Sequence, residues 1–183
     1  MKIIETGIEG LIQVVPPVFA DSRGYFGEFF KSSKYQSITG GLRYEQDNFS
    51  FSKKNVLRGL HLQTAPSAQA KLVTVILGRV LDVVVDLRPG SKTFGQVYQV
   101  ELSGELKNQL IVPAGFAHGF SALEDSYFLY KCSNEYNPAC ETGIVWNDPQ
   151  LKIDWRVSSP ILSDKDRQLP TLQELLGKSV ISR

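Results

Sequence analysis

Apolar residues in this chain come in short runs, cut at frequent intervals by glycine, proline and small polar residues. The central stretch, Asn55 to Val73, shows the pattern most clearly: a bulky run, NVLRGLHLQ, a small polar loop over Thr64–Ala70, then KLV. Branched and bulky residues flanking a turn predict two strands around a loop. Upstream, Leu11–Val15 reads as a strand stopped by Pro16-Pro17, and Tyr25–Phe30 as an aromatic strand after the turn Asp21-Ser22-Arg23-Gly24. Lys34–Ile38 predicts a helical turn ended by Gly40-Gly41, and Tyr44–Ser52 alternates as a strand should. Downstream, strands are expected at Leu72–Leu77, Val80–Leu87, Phe94–Leu102, Gln109–Val112 and Tyr127–Cys132, with a Gly78-Arg79 turn between the first two. Pro113–Phe120 sets His118 among small residues that permit close backbone approach. Tyr136–Trp155 is loop-rich, and the tail offers a capped turn at Ser163–Asp166 and a short helix over Thr171–Leu176.

About ten short strands with turns every 8–12 residues, and little helix, predict an all-β fold, a double-sheet jelly roll with a few short helices. The Val80–Leu87 strand is apolar on both faces, apart from Asp82 and Asp86 on the Val80/Val84 side. Such a strand needs cover on both sides, from a second sheet or a second subunit. Asp82, placed among these residues, needs a cationic or imidazole partner.

Composition narrows the class. The 183 residues are 42% hydrophobic and 21% charged with a net charge of +1, which fits one globular domain over 1–183 and gives no polyanion-binding surface for nucleic acid. No repeat, linker or low-complexity tract divides the chain. The N-terminus lacks an apolar targeting core and no run reaches the ~18 residues of a membrane span. A cytoplasmic protein with free thiols at Cys132 and Cys140 is the expectation, with a disulfide between the two possible but unforced.

Candidate chemistry centres on Arg58, His61, Gln63 and Lys71 in the central stretch. A hydrogen-bonded structural histidine with a snorkelling lysine accounts for them, and so does an acid–base site. The only other histidine, His118, is remote in sequence, and neither histidine has a second one beside it as metal-binding cupins usually do. No Walker or GxGxxG pattern occurs, and neither cysteine sits in a nucleophile context. What fits is cofactor-free proton transfer, which needs a base, an orienting carboxylate, a cation for an enolate oxygen and an acid. His61, an aspartate, Lys71 and Tyr130 supply that set. Two other readings stay open: a metal-dependent cupin using His61 and His118, and a sugar-binding module without catalysis.

The motifs FADSRGYFGE, QDNFSFSKKNVLRGLHLQ, QAKLVTVILGRVLDVVVDLRPGSKTFG, VPAGFAHGF, LYKCSNEYNP, ETGIVWNDP and LSDKD, in this order from about Phe19 to Leu172, resemble the dTDP-4-dehydrorhamnose 3,5-epimerases, a cupin-like jelly-roll family. The resemblance implies epimerisation at C3 and C5 of dTDP-4-keto-6-deoxy-D-glucose through an enolate, without cofactor or metal. Some relatives invert one carbon only or act on related nucleotide-linked sugars. By resemblance His61 is the base, Asp166 its paired carboxylate, Asp82 a second carboxylate near the same histidine, Lys71 the enolate cation and Tyr130 the acid on the opposite sugar face.

The same resemblance places Arg23, Glu28, Gln46, Asn48, Arg58, His118, Tyr136, Glu141 and Lys165 around the nucleotide and sugar. Arg23, Arg58 and Lys165 would form the local cationic cluster a diphosphate requires. It also implies a homodimer in which an N-terminal strand joins the partner's sheet, with Arg23 serving the neighbouring site.

Overall fold

The computed structural model describes residues 1–177. The chain opens with four short strands, β1 (Lys2–Glu5), β2 (Ile12–Val15), β3 (Val18–Asp21) and β4 (Gly24–Gly27), then helix α1 (Ser32–Thr39). The strands that build the body follow: β5 (Gln46–Ser52), β6 (Leu57–Gln63), β7 (Lys71–Leu77), β8 (Arg79–Asp86), β9 (Val97–Ser103), β10 (Gln109–Val112), β11 (Phe116–Ala122) and β12 (Ser126–Cys132). A 3₁₀ turn (Pro138–Cys140), β13 (Glu141–Gly143), α2 (Asp164–Arg167) and α3 (Leu172–Gly177) complete it. Two antiparallel sheets face each other, ordered β1-β2-β10-β7-β12-β5 and β13-β6-β11-β8-β9. This is the jelly roll that the strand spacing predicts.

Strand alternation decides the layers. Val73, Val75, Leu110, Val112 and Phe128 of the first sheet meet Val80, Val84, Phe116 and Phe120 of the second in a buried core. The opposite face of β8, with Leu81, Val83, Val85 and Leu87, is covered by Ile144, Trp155, Leu172 and Leu175. The second cover anticipated for β8 is therefore the chain's own C-terminal third. Each such side chain contributes roughly 1.5–3 kcal/mol by leaving water.

On the outer face of the first sheet, Tyr35 of α1 packs over Ile12, Val14, Leu72 and Ile111. The helix ends where Gly40 takes a left-handed conformation (φ 68°), a C-terminal cap that glycine makes without steric cost. Farther along that face, Phe49, Phe51, Leu77 and Tyr127 remain exposed, and the Phe49 and Tyr127 rings stack at 5.4 Å.

Two expectations change. Gly78 does not form a hairpin: β7 and β8 lie in different sheets, so it is a corner between layers. A Cβ there would meet the Asp125 carbonyl oxygen at 2.2 Å. The aromatic strand stops at Gly27, because β4 pairs only with β3 in a separate two-stranded hairpin whose Phe19 and Phe26 are exposed. The early strand, β2, pairs within this chain, between β1 and β10. Both cysteines are free and buried. Among the described residues no helix is long and apolar enough to cross a membrane.

Candidate active site

Between the sheets opens a cleft with two lobes. The outer lobe, about 310 Å³, is lined by Arg58, His118, Ser163, Lys165 and Asp166 among others, and the inner, about 210 Å³, by Gln46, Asn48, Gln63, Gln69 and Cys132 among others. Both lobes share His61, Lys71, Tyr130, Tyr136 and Glu141. Two walls carry these groups. On one, β6 lies between β13 and β11, with His61 opposite both Gly143 and His118. On the other, Gln46, Cys132 and Lys71 form one rung across β5, β12 and β7, and Asn48 and Tyr130 form the next rung on the same face.

His61 Nε2 lies 2.6 Å from Asp166 Oδ1. An ionised carboxylate only accepts, so Nε2 carries the proton and Nδ1 is left as the basic nitrogen. Asp166 is held in turn: Ser163 caps α2 by accepting from the Asp166 N–H at 3.1 Å. Burial pushes the Asp166 carboxyl up, but the hydrogen bonds to His61 and to the Gly59 N–H outweigh it and hold it below its ordinary value.

Gly59 is where the two catalytic strands touch. Its φ is 113°, and a Cβ would stand 2.6 Å from the Gly119 Cα and 2.7 Å from the His118 carbonyl oxygen. The small residues beside His118 thus have the close-approach role expected of them.

Lys71 is enclosed, and burial draws its ammonium below the ordinary lysine value, opposed by the nearby Cys132, Asp82 and Glu141. Among the described residues no side-chain hydrogen bond or ion pair engages its ammonium. Burial pushes the Tyr130 phenol up. It therefore stays protonated across the neutral range and is fit to donate. Glu141 accepts from the Tyr136 hydroxyl at 2.5 Å and from Lys165. Burial raises the Glu141 carboxyl, yet those two partners bring it below its usual value. Arg58 donates to Ser52 Oγ at 3.0 Å and to the Phe51 carbonyl at 3.2 Å, which leaves its charge without a carboxylate among the described residues.

One assignment is corrected. Asp82 does not serve His61: its Oδ2 lies 2.9 Å from His118 Nε2, and the carboxylate is fully buried behind that ring. The chain thus holds two separate histidine–aspartate pairs, side by side on β6 and β11. Gln46, Asn48, Arg58, His118, Tyr136, Glu141 and Lys165 line the cleft as expected, whereas Arg23 and Glu28 do not. Arg23 sits at the tip of the exposed hairpin, bonded to Asp21, and Glu28 accepts from Lys34 at 2.6 Å. Residues not singled out beforehand also reach the cleft, notably Ser163 and Cys132. Cys132 follows Tyr130 by two positions in one strand, a spacing that puts both on one face. Each histidine is engaged by a carboxylate, and among the described residues no three His, Cys, Asp or Glu side chains converge as a metal-ligand set.

The cleft gathers an imidazole, a buried ammonium with no ion pair among the described residues and a protonated phenol. The family model for dTDP-4-dehydrorhamnose 3,5-epimerase matches residues 5–174. The dTDP-4-dehydrorhamnose 3,5-epimerase of Escherichia coli is 48% identical over 185 residues, covering 100% of both chains. A crystal structure of the dTDP-6-deoxy-D-glucose-3,5-epimerase from Legionella pneumophila, in complex with dTDP-4-keto-L-rhamnose, superposes with a TM-score of 0.94 at 45% identity, covering 100% of this chain and 97% of that one. A 3'-monoepimerase from Streptomyces bikiniensis in complex with dTDP-quinovose superposes with a TM-score of 0.89 at 35% identity, covering 94% and 89%. With the family model spanning nearly the whole chain and close relatives matched end to end, the chain belongs to the dTDP-4-dehydrorhamnose 3,5-epimerase family.

Proposed function

We propose that this enzyme inverts C3 and C5 of dTDP-4-keto-6-deoxy-D-glucose to give dTDP-4-keto-L-rhamnose. The observation that carries the reading is the grouping of His61, Lys71 and Tyr130 around one cleft whose two lobes both contain them. A proton on the carbon beside the C4 ketone passes to His61 Nδ1, and the electron pair moves into the carbonyl to form an enolate. The Lys71 ammonium, which has no ion pair among the described residues to give up, stabilises the new O⁻. Tyr130 then delivers its proton to the opposite face of the carbon, which inverts it. The imidazolium loses its proton to water and the phenolate regains one, and the cycle repeats at the second carbon. No cofactor is needed, because the ketone supplies the acidity.

Arg58 and Lys165 flank the outer lobe and suit the diphosphate, and Tyr136 with Glu141 stands where the two lobes meet. A homodimer completes the reading. The β3–β4 hairpin presents Phe19 and Phe26 to solvent at 64% and 69% exposure, and the edge strand β5 presents Phe49 at 62%. Exchange of the hairpin onto the partner's β5 edge would cover these rings and carry Arg23 toward the neighbouring cleft. Its place in the cell is the cytoplasm, where nucleotide sugars are made.

Proton NMR of dTDP-4-keto-6-deoxyglucose with the enzyme in deuterium oxide tests the reading. Deuterium at C3 and C5 is expected. Label at one carbon would make the enzyme a mono-epimerase, and none at either would overturn the proposal.

A further inference from the structure

The inner lobe contains a chain of amides whose polarity is fixed at one end. The Tyr136 backbone N–H donates to Gln46 Oε1 at 2.8 Å. A backbone N–H has no acceptor capacity, so the Gln46 oxygen must face it and the Gln46 nitrogen must face away. That nitrogen donates to Asn48 Oδ1 at 2.9 Å, which turns the Asn48 nitrogen outward in its turn, and Asn48 Nδ2 donates to Cys132 Sγ at 3.6 Å. Cys132 stands on the Lys71 rung, as the cross-strand partner of both Lys71 and Gln46. The relay thus turns the Asn48 N–H, not its carbonyl, toward Cys132, the cross-strand neighbour of Lys71.

We infer that the Tyr136–Gln46–Asn48–Cys132 relay makes the Lys71 wall of the inner lobe a donor surface that selects a carbonyl over a hydroxyl at the sugar position it contacts. Asn48 is the specificity-determining residue, and Cys132 is a positioning residue that acts through it. The inference rests on the proposed function for the placement of the sugar's C4 oxygen at Lys71. The wall offers the Lys71 ammonium, the Tyr130 hydroxyl and amide N–H groups. A ketone oxygen, and the enolate oxygen that replaces it, only accept and are satisfied there. A C4 hydroxyl brings a proton of its own; the Asn48 carbonyl is engaged by Gln46, so that proton finds no free amide acceptor on this wall and is left to the Tyr130 oxygen, the acid of the reaction, or to the weakly accepting Cys132 sulfur. A hydroxyl left with such poor acceptors in a buried site binds less well than a ketone that only accepts.

Three variants test this with two readouts. Cys132→Val keeps the side-chain volume but removes the acceptor; Cys132→Ser restores one. Gln46→Glu still accepts from Tyr136, but it turns an oxygen toward Asn48 and so favours the flipped Asn48 amide. The first readout is the side-chain amide resonance of Asn48 in a ¹⁵N spectrum, identified by its disappearance in Asn48→Asp. It should move in Cys132→Val and Gln46→Glu and hold its place in Cys132→Ser. The second is the ratio of the inhibition constant of dTDP-6-deoxyglucose, which carries a hydroxyl at C4, to the KM of the keto substrate. That ratio should fall by about 5-fold or more in Cys132→Val and Gln46→Glu, as loss of a hydrogen bond of about 1 kcal/mol implies, and stay near wild type in Cys132→Ser. An unmoved Asn48 resonance in Cys132→Val, or an unchanged ratio in both disrupting variants, would overturn the inference. If the wild-type enzyme labels no sugar carbon, the functional proposal fails instead, and the Asn48 resonance alone decides whether the relay exists.

Discussion

Asp166 sits 2.6 Å from the ring nitrogen of His61 although 105 residues separate them in sequence. The contact fixes the tautomer of the base and gives the imidazolium a counter-charge once the proton has moved. Asp166→Asn keeps the shape but can present an amide N–H to Nε2, which favours the other tautomer and removes the lone pair from Nδ1. The kcat for solvent-deuterium exchange should fall by about 10²-fold or more. His61→Asn should abolish exchange, and exchange persisting at the wild-type rate in that variant would reject His61 as the base.

Tyr130 separates the two halves of the reaction. Tyr130→Phe leaves His61 and Lys71 in place, so proton loss should slow far less than product formation, which needs a donor on the opposite face. Inversion followed by NMR should drop by about 10²-fold. Loss of exchange and of product in equal measure would rule out the phenol as the acid.

Lys71 sets the alkaline limit. Only its protonated form stabilises an enolate, and burial draws its pKa below the ordinary 10.5, whereas burial raises that of Tyr130. As pH rises, Lys71 loses its proton below the ordinary lysine value, and kcat should fall with it. Arginine stays charged throughout the accessible range. Lys71→Arg should be slower near neutrality yet show no such fall. A pH–rate profile of the variant that retains the wild-type alkaline limb would assign that limb to another group.

The layers of this fold were legible because alternation is a local signal. The two apolar faces of Val80–Leu87 required two covers, and two covers are present. The identity of the second was not legible: no local pattern says that Trp155 and Leu175 fold back over a sheet. The gathering of His61, Asp166, Lys71 and Tyr130 in one cleft was legible by resemblance, and so was the His61–Asp166 pair; the partner of Asp82 was not. Asp82 stands among apolar neighbours in sequence and no local pattern names its partner; only the register of β11 on β8, with Phe120 opposite Asp82, brings Asp82 under His118. Gly78 looked like a hairpin turn because a glycine between two apolar runs serves a turn or a corner equally well.

Gly59 tests how closely the base depends on backbone packing. Alanine at this position meets the Gly119 Cα and the His118 carbonyl, both backbone atoms that cannot rotate aside, and must also hold φ at 113°. Gly59→Ala should cost about 2 kcal/mol or more of stability, and shift His61 as β6 moves away from β11. A chemical-denaturation midpoint equal to wild type would show that the strands part without cost.

Asp86 supports the C-terminal end of β8 by charge. Its buried carboxylate accepts from Arg88 Nε at 2.9 Å and Nη2 at 2.7 Å, from Ser91 Oγ at 2.7 Å and from Thr93 Oγ1 at 2.6 Å, clasping the turn that follows β8. Burial opposes ionisation, but these donors outweigh it and hold the folded-state pKa far below the usual carboxylate value. A group depressed in the folded state stabilises fully above its unfolded pKa, about 3.9, and loses that contribution as pH falls toward the folded value. Asp86→Asn should therefore be less stable than wild type by about 2 kcal/mol at pH 7, with the gap narrowing below about pH 4 as the wild-type carboxylate takes up its proton. Urea midpoints at pH 7, 5 and 3 measure the gap. One that stayed constant down to pH 3 would mean that the clasp holds by shape and not by charge.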